Sequence, residues 1–170
     1  MPVSGKMKIE GQENLSVFYG SGVIVRPRIL ITASHVVQDT ESSHVIFGDK
    51  KIKILGYVCP KADQDKEVGP LDIAVCLLEE EIKLDFYPEL YDKKDEMGKL
   101  CSLAGWGMNG TWTTGIVASD KKRRAGSNYV DNELFQGMIV CSVDKPPYTS
   151  LEYLIGNGDS GGGLFIDKKL

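Results

Sequence analysis

The stretch Val23-Ile24-Val25-Arg26-Pro27-Arg28-Ile29-Leu30-Ile31-Thr32 decides the fold class. Two runs of β-branched and apolar residues flank a short turn containing proline, the pattern of an antiparallel hairpin. The rest of the chain repeats this grammar. Short apolar runs at residues 15–19, 45–47, 52–58, 73–78, 100–104, 113–118, 134–143 and 163–166 are bounded by Gly, Pro, Asn and Asp. Helical periodicity is scarce outside a single turn around His35-Val36-Val37. Many short strands with frequent turn signals predict an all-β chain of the sandwich or barrel type.

Composition narrows the class further. The 170 residues, 42% hydrophobic and 26% charged, exclude a collagenous, disordered or low-complexity chain. A net charge of −4 leaves no long-range attraction to nucleic acid or to an anionic membrane. No run approaches the ~20 apolar residues of a membrane-spanning helix. The only basic cluster, Lys121-Lys122-Arg123-Arg124, has no interleaved aromatics and is expected at a solvated hairpin tip. The opening residues Met1-Pro2-Val3-Ser4-Gly5-Lys6 form no apolar signal segment, which suits a cytoplasmic chain or a processed bacterial secreted one. Apolar content drops at residues 87–98, so two halves are expected, 1–92 and 93–170.

The residues able to do chemistry are few. Of two histidines, His44 lies in a polar stretch and is expected on the surface, whereas His35 follows a strongly apolar run. Asp72 opens the apolar segment Leu71-Asp72-Ile73-Ala74-Val75-Cys76-Leu77-Leu78. Burying such a carboxylate is costly unless it accepts hydrogen bonds or meets a positive charge. Alone, it reads more readily as a strand-capping or turn residue. The third element is Gly156-Asn157-Gly158-Asp159-Ser160-Gly161-Gly162-Gly163. Its glycines let consecutive N–H groups converge on one point beside the Ser160 hydroxyl. A hydroxyl nucleophile needs a base, and the base needs a carboxylate to fix its tautomer. His35, Asp72 and Ser160 supply these three groups.

These residues also resemble a known family. Thr32-Ala33-Ser34-His35 resembles the Thr-Ala-Ala-His signature of trypsin/chymotrypsin-like serine peptidases, and Asp72-Ile73-Ala74 resembles their Asp-Ile-Ala strand. Gly158-Asp159-Ser160-Gly161-Gly162 is identical to the family's nucleophile motif, and Gly105-Trp106-Gly107 matches a further landmark. The order His, Asp, Ser agrees as well.

The resemblance implies two antiparallel β-barrels with the site in the cleft between them, His35 and Asp72 on the first and Ser160 on the second. It implies a serine endopeptidase acting on a protein or peptide substrate through an acyl-enzyme, with no metal or organic cofactor. Ser160 would be the nucleophile, His35 the base and then acid, and Asp72 the orienting carboxylate. The N–H groups of Gly158 and Ser160 would form the oxyanion hole, and Leu154 would lie at the base of the substrate pocket. Activity would rise with pH as His35 loses its proton.

The resemblance also marks departures. Tyr19 and Val36 stand where the family has a disulfide, and Ile166 occupies the position of the family's partner for Cys101, so all four cysteines are expected as thiols. Leu170 comes ten residues after Ser160, where family members run on through further strands, so the second barrel is expected to be incomplete. Family members are activated when a freed N-terminal amine pairs with the acid before the nucleophile, here Asp159. Lys8-Ile9-Glu10-Gly11 only faintly resembles the site of such a cut, and residues 6–10 are expected to form a strand that needs none. The competing expectation is a catalytically incompetent protein of the same fold, either a binding module or a chain whose C-terminal barrel is completed by a second polypeptide.

Overall fold

The computed structural model describes residues 1–8, 15–60, 69, 71–111, 113–135, 138–143, 149 and 151–170. Among the described residues the regular secondary structure is nearly all strand, with one 3₁₀ turn at Ser34–Val36.

The N-terminal half is a seven-stranded sheet built from β1 (Pro2–Lys8), β2 (Leu15–Ser21), β3 (Val23–Arg26), β4 (Ile29–Thr32), β5 (Ser42–Phe47), β6 (Lys50–Val58) and β7 (Ala74–Leu78). The spatial order is β2-β1-β5-β6-β7-β4-β3, with every pair antiparallel. Its two edge strands, β2 and β3, are separated in the chain by Gly22 alone. The sheet is thereby curled into a nearly closed barrel. Alternation is plainest on β7, where Ala74, Cys76 and Leu78 point inward and Val75 and Leu77 outward, as a period of two requires. Val3, Ile24, Leu30, Val45, Ile52, Ile54 and Ile82 complete the interior. Each large aliphatic side chain buried there contributes about 1.5–3 kcal/mol.

The C-terminal half carries β8 (Leu100–Gly105), β9 (Asn109–Thr111), β10 (Gly115–Ala118), β11 (Arg124–Tyr129), β12 (Asn132–Phe135), β13 (Met138–Val140) and β14 (Gly163–Phe165). Among the described residues these fall into three small sheets, β11-β8-β14, β9-β10 and β12-β13. A separate apolar cluster of Cys101, Val130 and Ile166 forms its interior, with Leu103, Cys141 and Leu164 packed on it.

Some expectations need correction. Residues 134–143, expected as one strand, hold the end of β12 and all of β13, with 136–137 outside the described set and 141–143 not in a strand. β9 and β11 were not evident in the sequence. Arg-Ala-Gly-Ser-Asn-Tyr has little strand propensity of its own and is held by pairing along the length of β8. Arg124 is consequently the first residue of β11 and not part of a hairpin tip. His44 is half-buried in β5, opposite Ser4 and Lys53, and is not a freely exposed residue. The strand expected at residues 6–10 is β1 as far as Lys8; Ile9 and Glu10 lie outside the described residues.

Candidate functional site

The pairing of β4 with β7 creates the first half of the site. Thr32 lies opposite Ala74 in this antiparallel pair. The chain leaving β4 through Ala33 and Ser34 therefore reaches His35 at the same end at which Asp72 and Ile73 lead into β7. The 3₁₀ turn at Ser34–Val36 then points the imidazole back toward the β7 entrance. His35 Nδ1 lies 2.6 Å from Asp72 Oδ2, and the His35 backbone N–H donates to Oδ1 at 2.9 Å.

A third donor completes this cradle. The Ser34 hydroxyl, buried beneath the turn, donates to Asp72 Oδ1 at 2.6 Å. Burial alone would raise the Asp72 pKa. Hydrogen bonds from the Ser34 hydroxyl and from the His35 backbone and ring, together with the His35 charge, outweigh it and hold the carboxyl below its ordinary value. An ionised carboxylate only accepts, so the proton shared in this pair belongs to Nδ1, and Nε2 is the ring nitrogen left for other partners. The imidazole is more than one-third exposed and the carboxylate nearly covered, at 39% and 10% of side-chain surface. Nothing in the local motif Thr32-Ala33-Ser34-His35 signals that the Ser34 hydroxyl reaches Asp72.

The second half of the site is the loop that follows residue 155. Gly158 and Gly161 have φ values of +95° and +80°, which favour glycine. A Cβ on Gly161 would lie 2.2 Å from Thr32 Oγ1, 2.4 Å from the Ser21 carbonyl oxygen and 2.6 Å from Ala33 N. The loop is thus pressed onto the backbone just ahead of His35. Ser21, which the sequence reading did not single out, binds the two halves together. Its N–H donates to the Ser160 carbonyl at 2.8 Å, and its hydroxyl donates to the Gly158 carbonyl at 3.1 Å. The same hydroxyl accepts from the Trp106 N–H at 3.3 Å, and the Ser21 carbonyl accepts from the Thr32 hydroxyl at 2.7 Å.

The structure joins His35 to Asp72 by direct hydrogen bonds and brings the Ser160 backbone to the neighbouring β4 exit, but no hydrogen bond links the Ser160 hydroxyl to the His35 ring. The Gly158 and Ser160 N–H groups donate to no acceptor among the described residues. Leu154, 45% exposed, and Ser160 line the same cavity of about 420 Å³, with Ile139, Cys141, Ile155 and Leu164 among its other walls. The four cysteines are free, with Cys101 Sγ and Cys141 Sγ 3.9 Å apart.

Asp159, beside Ser160, is buried and satisfied from three directions. Oδ1 accepts from the Gly107 N–H at 2.7 Å, and Oδ2 accepts from the Tyr153 hydroxyl and the Gly156 N–H, both at 2.9 Å. The landmark Gly105-Trp106-Gly107 thereby gains a physical reason. A Cβ on Gly105 would stand 1.9 Å from Asp159 Oδ1, and one on Gly107 2.8 Å from its carboxyl carbon.

Several solved structures share this architecture. Mouse neuropsin, described as a serine protease expressed in the limbic system of the brain, aligns at a TM-score of 0.68 and 19% identity, covering 99% of this chain and 78% of its own. A structure titled GrC gives 0.72 and 16%, covering 99% and 79%. The scabies mite inactivated protease paralogue S-I1 gives 0.67 and 18%, again covering 99% and 79%. No curated protein sequence matches the chain. A family model described as Trypsin matches residues 2–170, and the chain belongs to that family.

Proposed function

We propose that the chain is a serine endopeptidase that hydrolyses peptide bonds through an acyl-enzyme. The observation that carries the reading is the His35–Asp72 pair at 2.6 Å, at the β4 exit against which the Ser160 loop is packed. Ser160 Oγ attacks the scissile carbonyl while His35 Nε2 takes its proton, and Asp72 holds the Nδ1–H and stabilises the imidazolium. The N–H groups of Gly158 and Ser160 receive the developing oxyanion. His35 then gives the proton to the leaving amine, and water, activated by the same imidazole, releases the acyl group. On this reading residues 1–92 supply base and acid, residues 93–170 supply the nucleophile, and neither metal nor organic cofactor takes part. The apolar wall at Leu154 and Ile155 suits an apolar side chain on the acyl side of the cleaved bond.

A second reading, a trypsin-fold binding module, is favoured by the lack of a hydrogen bond between the Ser160 hydroxyl and His35. It includes a form completed by a second polypeptide, because among the described residues β14 pairs with β8 on one edge and with no strand on the other. A fluorophosphonate probe decides between them. Labelling mapped to Ser160 and lost in His35→Ala supports the peptidase. A folded chain that takes up no label, alone or with any partner chain, overturns it.

A further inference from the structure

The surroundings of Asp159 deepen the peptidase reading and rest on it. The resemblance described above assigns to this position an acid that pairs with an amine released by cleavage. Here its carboxylate is already filled by neutral donors: Gly107 N–H, Gly156 N–H and the Tyr153 hydroxyl. No ion pair involves Asp159 among the described residues. Arg124, whose charge reaches both Tyr153 and Asp159, is itself held by Asp120 through bonds of 2.7 and 2.9 Å.

We propose that Tyr153 is a positioning residue for catalysis. Its phenol, with the Gly107 and Gly156 N–H groups, holds Asp159 where a cleavage-derived ammonium would otherwise sit. The Gly158 and Ser160 N–H groups are set in place without a cut between Lys8 and Ile9.

The geometry supports each step. Asp159 directly precedes Ser160 and closes the turn through its own N–H, which donates to the Gly156 carbonyl at 3.0 Å. Fixing its side chain therefore fixes the backbone that carries both oxyanion donors. Tyr153 is in turn anchored on β11. Its N–H donates to the Ser127 carbonyl at 3.2 Å, its carbonyl accepts from Asn128 Nδ2 at 3.2 Å, and Gly126 lacks the Cβ that would stand 2.4 Å from the Tyr153 Cβ. Burial, then the hydrogen bond to Asp159 and its charge, push the Tyr153 hydroxyl up to about 12, so it remains a donor through neutral pH. Of the three donors, Tyr153 is the only side chain and hence the one a substitution can remove.

The test uses the full chain with Lys8→Ala, which removes the basic residue before Ile9, and the same chain carrying Tyr153→Phe. The first is expected to label at Ser160 as fast as the unsubstituted chain. Tyr153→Phe is expected to label and turn over about tenfold more slowly, the loss falling on kcat with KM little changed, for one hydrogen bond to a charged group. Amide exchange across residues 156–162 should accelerate in Tyr153→Phe while β4 and β7 keep their protection. Unchanged exchange at residues 156–162 overturns the proposal whether or not the chain labels. Labelling that requires cleavage after Lys8 overturns it too, and leaves the peptidase reading intact. A chain that never labels but shows the faster exchange supports the Tyr153 anchor and overturns the peptidase reading instead.

Discussion

The Ser34 hydroxyl and the His35 backbone N–H converge on one oxygen of Asp72, at 2.6 and 2.9 Å, leaving the other oxygen to the His35 ring. Orientation of the imidazole is thus set by two neighbours on one 3₁₀ turn, and the donors that depress the Asp72 pKa are the ones that aim it.

Removing the Ser34 hydroxyl tests this arrangement. Ser34→Ala should cost about 1.5–3 kcal/mol, the range for a hydrogen bond to a charged group. Because the folded-state pKa of Asp72 is depressed, its stabilisation is present above the unfolded carboxyl value of ~3.9 and fades as pH falls toward the folded value. Ser34→Ala raises that folded value, so its acid unfolding should begin at higher pH. Melting curves collected from neutral to acid pH check both the size and the shift.

Asp72→Asn separates charge from shape. If the triad operates as proposed, the neutral amide favours the wrong imidazole tautomer and lowers kcat by about 10⁴. Steady-state kinetics on a peptide ester or anilide, with circular dichroism as a control for folding, measure the loss. A decrease of only a few-fold would remove Asp72 from the mechanism.

Gly161→Ala should be among the most damaging single-methyl changes in the chain. The new Cβ would face the Thr32 hydroxyl and the Ser21 carbonyl inside van der Waals contact, on a backbone with φ of +80°. A loss of about 2–4 kcal/mol is expected from combined overlap and strain, read by urea unfolding.

Cys76, Cys101 and Cys141 should be quiet thiols. Burial pushes Cys76 up to about 11, and burial followed by the neighbouring Cys101 pushes Cys141 up to about 12. Burial raises Cys101 as well. With almost no thiolate at pH 8, these three should resist iodoacetamide in the native protein and react on unfolding. Peptide mass mapping before and after denaturation checks this.

What could be read from the sequence was whatever rests on short contiguous patterns. Val23–Arg26 and Ile29–Thr32 announced their hairpin through β-branched residues around Pro27. His35, Asp72 and Ser160 stood out because their motifs are local. β11 escaped notice because its six residues are strand only by virtue of β8 beside them. Ser34, Ser21 and Tyr153 escaped for a related reason. Their roles are hydrogen bonds to partners 38 positions away for Ser34 and 137 for the Ser21 hydroxyl, or to a buried carboxylate six residues on for Tyr153. A serine or tyrosine offers the same donor wherever it stands, and only the folded backbone selects what it meets.

Ser21 has a consequence for the order of assembly. It precedes the glycine loop around Ser160 in the order of synthesis, yet its amide and hydroxyl dock that loop. The early half therefore acts as a template on which the later one takes its final form. Residues 93–170 produced in isolation would lack the surface that shapes their own reactive loop.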